Sequence, residues 1–137
     1  MSYKAIWTEN KKLNAVEKVK LKKDGLDIID TIVNKYAKKG YDSIDADDMG
    51  LFKWACVYEQ KPKNGYFMLR VRMTSGIMRA EQAKVLAEIA EKYGRGIANI
   101  TTRGSIQFHW LKIEDIPDVF RRLDACCLSS FEACGDC

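Results

Sequence analysis

The chain has 137 residues, enough for one domain, or one domain with an extended arm. With 31% charged and 47% apolar residues a globular, water-soluble fold is expected, and no stretch reaches the roughly 18 apolar residues that a membrane helix requires. A formal net charge of +4 is too small to argue for nucleic acid by itself. The first ten residues lack an apolar core of signal-peptide length, so a cytoplasmic protein with no membrane partner is expected.

Residues 1–23 read as a basic N-terminal arm, with much of the positive excess at Lys11, Lys12, Lys18, Lys20, Lys22 and Lys23. A solvated, partly mobile segment is the ordinary reading of such a run, and docking to an acidic electron donor is the functional one. From Asp24 the pattern turns helical. Leu26, Ile29, Ile32, Val33, Tyr36 and Ala37 recur at three- and four-residue steps, and Gly40 follows as a stop. Asp42 to Asp48 reads as an acidic connector, Leu51 to Tyr58 as a short extended segment, and Lys61 to Gly65 as a turn. Tyr66 to Met73 is a strand. A helix over Ala80 to Tyr93 carries Ala83, Leu86, Ala90 and Tyr93 on one line and ends at Gly94 and Gly96. Ala98 to Leu111 reads as one long strand, and Ile116 to Ala125 as a second helix with Pro117 near its first turn. Residues 24–137 are thus expected to form one α+β domain: a small antiparallel or mixed sheet with helices on one face, plus an N-terminal helix and arm.

The two strands hold the most informative pattern. Alternate strand residues point to opposite faces. On one side Phe67, Leu69, Val71 and Met73 fall with Ile100, Thr102, Gly104, Ile106, Phe108 and Trp110. On the other, Tyr66, Met68, Arg70 and Arg72 fall with Asn99, Thr101, Arg103, Ser105, Gln107 and His109. Neither strand contains an Asp or a Glu. Arginines without neutralising partners are costly unless water or an anion meets them, and their planar fork suits carboxylate, phosphate or sulfate oxygens. An ordinary solvated face is the bland alternative. His109 alone would be a weak signal; it gains weight by sharing a face with Arg103 and Thr101.

Five cysteines, an odd number with no secretion signal, argue against a disulfide framework. Cys134 and Cys137 have a metal- or redox-like spacing, and Cys126 and Cys127 lie close by in sequence. Adjacent cysteines seldom serve one iron site, so free thiols and no metal are expected here.

The segment Tyr66-Phe-Met-Leu-Arg-Val-Arg-Met73 resembles the first strand of the sirohaem-dependent sulfite and nitrite reductases. Ala80 to Gly94 is similar to the helix that follows it, and Ile100-Thr-Thr-Arg-Gly-Ser-Ile-Gln-Phe-His-Trp110 to the next strand. Leu51-Phe-Lys-Trp54 and Ala133-Cys-Gly-Asp136 resemble flanking motifs, all in family order over residues 24–137. The resemblance implies an N-terminal ferredoxin-like half-domain of a reductase that takes sulfite to sulfide or nitrite to ammonia on a sirohaem coupled to a [4Fe–4S] cluster. It implies that Arg70 lies on the cofactor and substrate side, as the catalytic candidate. Arg70, Thr101, Arg103 and His109 would contact the polycarboxylate cofactor, and Arg72 joins them by sharing their face. The rest of the reductase would be the chain's partner, and ferredoxin or another donor its electron source. Two departures stand out: Thr74-Ser75-Gly76 where the family has Pro-Gly-Gly, and Asn99 where a basic contact is common. The cluster cysteines, second half-domain and active-site lysines of the family have no counterpart before Cys137. The chain alone is therefore expected to be inactive and to hold no cofactor.

Two other functions fit the same topology. An RNA-recognition sheet requires aromatics on its open face, whereas Phe108 and Trp110 fall on the buried parity and no Phe or Tyr follows Gly104. A protein-interaction module using the basic face is the remaining reading.

Overall fold

The computed structural model describes residues 13–134; the start of the basic arm and Cys137 lie outside the described residues. Asn14 caps α1 (Ala15–Lys20) by accepting from the Glu17 amide at 2.9 Å. The described part of the arm is anchored: Val19 packs on the core, Lys23 meets Asp48 at 2.5 Å, and Lys20 lies over the Trp54 ring. The same ring explains Gly25, where a Cβ would stand 1.7 Å from it.

After a 3₁₀ turn at Gly25–Asp27, the expected helix forms as α2 (Ile28–Thr31), a π-helical stretch (Ile32–Tyr36) and α3 (Ala37–Lys39), ending at Gly40 with φ +84°. Its buried stripe is Ile28, Ile32 and Tyr36, while Leu26 is exposed. The π turn takes more residues per turn than an α-helix, which keeps this four-residue spacing in line. The acidic connector is instead mostly helical. A 3₁₀ turn at Tyr41–Ser43 leads to α4 (Ala46–Leu51), and Asp45 caps it by accepting from the Asp47 amide. The expected extended segment at Leu51 to Tyr58 is largely a 3₁₀ turn at Phe52–Ala55, from which Cys56, with φ 52°, turns the chain into β1 (Val57–Glu59).

The sheet contains β1, β2 (Tyr66–Val71), β3 (Ala98–Ile100) and β4 (Ile106–Lys112), in the order β1-β2-β4-β3 with every neighbour antiparallel. Two long helices, α5 (Ala80–Tyr93) and α6 (Ile116–Ala125), contribute Leu86, Ile89, Ile116, Val119 and Leu123 to the core. Gln82 ties them together. Its side chain accepts from the Arg79 amide at 3.0 Å and donates to the Cys126 carbonyl at 3.1 Å.

The single strand expected over Ala98 to Leu111 is a hairpin. Thr101 and Ser105 close it through a 2.8 Å backbone bond, the Gly104 amide donates to the Thr101 carbonyl at 2.9 Å, and Gly104 takes a φ of +73°. Thr102 and Gly104 kept the alternation in step while burying nothing; glycine was the turn signal. A second correction lies in β4. Leu69 pairs with Phe108 and Phe67 with Leu111, so His109 and Trp110 together oppose Met68 in a bulge where Trp110 has φ +62°. The bulge shifts the parity, so that Leu111 enters the core and Trp110 is left half-buried outside it. Ile100, assigned to the core from its parity, is 78% exposed on the short edge strand.

Candidate functional site

Pairing of β2 with β4 puts Arg70 opposite Gln107. Arg70 Nη2 donates to Gln107 Oε1 at 3.1 Å, and Gln107 Nε2 stands 2.9 Å from His109 Nε2. An amide nitrogen only donates, so His109 Nε2 accepts and its proton is assigned to Nδ1. Burial lowers the pKa of His109 from its ordinary 6.5, which keeps the ring neutral at pH 7. Arg70 Nε is buried without a hydrogen-bond partner. The ion pairs among the described residues involve neither Arg70, Arg72 nor Arg103. A buried N–H left unpaired costs about 1–3 kcal/mol, which an anion in contact would recover.

The other site residues inferred from sequence gather at one end of this row. The Arg72 amide donates to the Ser129 carbonyl at 2.7 Å, and its side chain is exposed. Thr101 and Arg103 stand in the hairpin turn, not on a strand face as their parity suggested. Thr101 Oγ1 accepts from the Ser105 amide at 3.1 Å, inside the turn, while Arg103 is exposed. This turn abuts the Thr74–Gly76 turn that follows β2: a Cβ on Gly104 would lie 3.2 Å from the Gly76 Cα. Ser75 there has φ 54° and Gly76 φ +68°. Serine thus holds a left-handed conformation that glycine adopts freely, at a cost of about 1–2 kcal/mol.

The opposite end of the row is aromatic. The Arg95 guanidinium lies 5.4 Å from the Tyr66 ring centre and 5.0 Å from that of Trp110, whose ring is 5.5 Å from His109. The Trp110 amide donates to Gln60 Oε1 at 3.0 Å. Sequence reasoning put Gln107 on the right face without naming it as a site residue. It missed Trp110 because a bulge leaves no mark in an alternating pattern, and Arg95 because it lies in a loop. Trp110 outside the core also removes one of the objections to base stacking, although Phe108 is buried as expected.

The four described cysteines are free thiols. Among the described residues no three His, Cys, Asp or Glu side chains come together as a metal site, and no helix is long and apolar enough to cross a membrane.

The fold agrees with what the chain is similar to. The family described as nitrite/sulfite reductase ferredoxin-like half domain matches residues 58–126. The chain is 38% identical to a sulfite reductase [ferredoxin] 1 of Mycolicibacterium paratuberculosis, aligned over 91% of this chain and 26% of that protein. It is 39% identical to a ferredoxin–nitrite reductase of Leptolyngbya laminosa, over 88% of this chain and 24% of the relative. The solved structure of Mycobacterium tuberculosis NirA protein matches with a TM-score of 0.84 and 37% identity, over 91% of this chain and 26% of that one. The chain therefore spans about a quarter of the length of these relatives. With half of its residues inside the matched half domain and the antiparallel sheet in place, the chain belongs to the nitrite/sulfite reductase ferredoxin-like half-domain family.

Proposed function

We propose that this chain supplies one wall of the sirohaem and anion site in a ferredoxin-dependent sulfite or nitrite reductase, the rest of that reductase being its partner. The observation that carries the reading is the acid-free row Arg70–Gln107–His109, with a buried Arg70 N–H left without a partner. A polycarboxylate macrocycle and an oxyanion substrate both require N–H donors and fixed positive charge with no carboxylate close by, and this row offers them. Sirohaem with its coupled cluster, when bound, supplies the electrons that reduce the sulfur or nitrogen of the anion. Arg70 would bind an anionic oxygen on the substrate side. Arg72 and Arg103 would neutralise cofactor carboxylates at the end of the sheet, where Thr101 braces the hairpin. His109, neutral with a proton on Nδ1, would donate a hydrogen bond without adding charge. Ferredoxin, in the names of the relatives, is the proposed electron donor, and a cytoplasmic setting goes with it.

A single open wall leaves a ligand exposed to water on its far side, so the chain alone is expected to bind weakly and not to turn over. The test replaces the matching quarter of the mycobacterial sulfite reductase with this chain. The chimera is expected to reduce sulfite or nitrite with reduced ferredoxin, and Arg70→Ala to abolish most of that activity. A folded chimera without activity, or one indifferent to Arg70→Ala, contradicts the proposal.

A further inference from the structure

Behind the arginine row lies a pair of thiols that the proposed function does not use. Cys56 is fully buried at the end of the Phe52–Ala55 turn, and its carbonyl accepts from the Arg70 amide at 3.1 Å. The segment after α6 returns alongside it. The Glu132 amide donates to the Trp54 carbonyl at 3.0 Å, and the Cys134 amide to Cys56 Sγ at 3.1 Å. With an N–Cα bond of about 1.5 Å, the Cys134 Cα lies within about 4.6 Å of Cys56 Sγ. That closeness of backbone to sulfur makes the pair a candidate for the short span of a disulfide. Burial first, and then the neighbouring Cys134 thiol, push the Cys56 thiol up to about 12. Cys134 is half-buried and keeps an opening to solvent.

We propose that Cys56 and Cys134 form an oxidisable dithiol, with Cys134 as the entry thiol, Cys56 as the resolving thiol, and a small disulfide of the glutathione type as oxidant. Cys134 loses its proton to water and attacks one sulfur of the small disulfide. That S–S bond breaks, one small thiol leaves, and a mixed disulfide forms on Cys134. Cys56 then gives up its proton and attacks the Cys134 sulfur, and the second small thiol leaves. The two protein thiols lose two electrons and two protons, and the small disulfide gains them. Enforced contact gives the second step a high effective concentration. The bond ties residues 132–134 to the turn that holds the Arg70 amide. The same segment begins at Ser129, whose carbonyl holds the Arg72 amide. Oxidation therefore stiffens the support of both arginines.

The full chain, equilibrated with oxidised glutathione and digested without reduction, is read by peptide mass spectrometry. The expected product links Cys56 to Cys134, and it survives in the Cys126→Ser, Cys127→Ser double variant. Cys134→Ser should lose the linkage and leave Cys56 unmodified, while Cys56→Ser should leave Cys134 carrying glutathione. Cys56 is a core residue, so if Cys56→Ser does not fold, mapping of the wild-type chain and of Cys134→Ser decides. A link from Cys134 to Cys137, mixed disulfides alone, or an unmodified Cys134 would overturn the proposal.

Discussion

The two faces of the β2–β4 pair share their strands and differ in how their side chains are satisfied. On the inner face Phe67, Leu69, Val71, Ile106, Phe108 and Leu111 are all buried, and their contacts are close-packed and non-directional. On the outer face Arg70, Gln107 and His109 are half-exposed and held in line by side-chain hydrogen bonds, with an N–H group still unpaired. Burial of the inner set fixes the register, because a one-residue slip would turn the arginines into the core. The register in turn sets Arg70 against Gln107. Stability is therefore concentrated on one face and the proposed recognition on the other, and substitutions on the two faces should separate cleanly.

The largest expected effect breaks the inner face. Phe108→Ala removes a fully buried ring and should cost about 3–5 kcal/mol, read by chemical denaturation. The next concerns the polar residue buried beside the core. Asp48 is 5% exposed, pairs with Lys23 and accepts a hydrogen bond from the Tyr36 hydroxyl. Burial works against its charge, but the bonds from Lys23 and Tyr36 outweigh it and hold the carboxyl below its ordinary value. Asp48→Ala leaves those donors unpaired and should cost about 1–3 kcal/mol. A depressed carboxylate stabilises the fold above its unfolded pKa of about 3.9, and that contribution is lost as pH falls through the lower folded value. Thermal melts should therefore fall below about pH 4 in the parent chain, and less steeply in Asp48→Ala. A smaller effect, of opposite sign, is expected at the turn after β2. Ser75→Gly relieves the left-handed serine and should raise stability by about 1 kcal/mol. The smallest is on the outer side: Arg103→Ala, at an exposed position, should change stability by no more than about 0.5 kcal/mol. An unfolded Arg103→Ala chain would mean that the faces are wrongly assigned.

How much could be read from the residues alone differed along these same strands. Tyr66 to Val71 alternates strictly because one of its faces is buried throughout, so Arg70 was placed correctly from period two. Ile106 to Phe108 behaved alike. The pattern failed where a single residue breaks the period. Gly104 closes a hairpin without interrupting the alternation, which moved Thr101 and Arg103 from a strand face into a turn. Trp110 in the bulge reversed the parity of everything after His109. The acidic run before β1 read as a connector because an N-cap such as Asp45 is acidic too.

If the outer face receives a polycarboxylate macrocycle, as proposed, the chain itself should bind one at Arg70. Isotope-labelled protein titrated at low salt with uroporphyrin, a porphyrin ringed with carboxylates, would be followed by NMR at side-chain nitrogens. Saturable shifts are expected, centred on Arg70 Nε, the Gln107 amide, the His109 ring and the Trp110 indole, with Arg70→Ala weakening binding by roughly tenfold, about 1.4 kcal/mol. Shifts confined to Lys18, Lys20, Lys22 and Lys23, or an affinity unchanged by Arg70→Ala, would contradict the proposal.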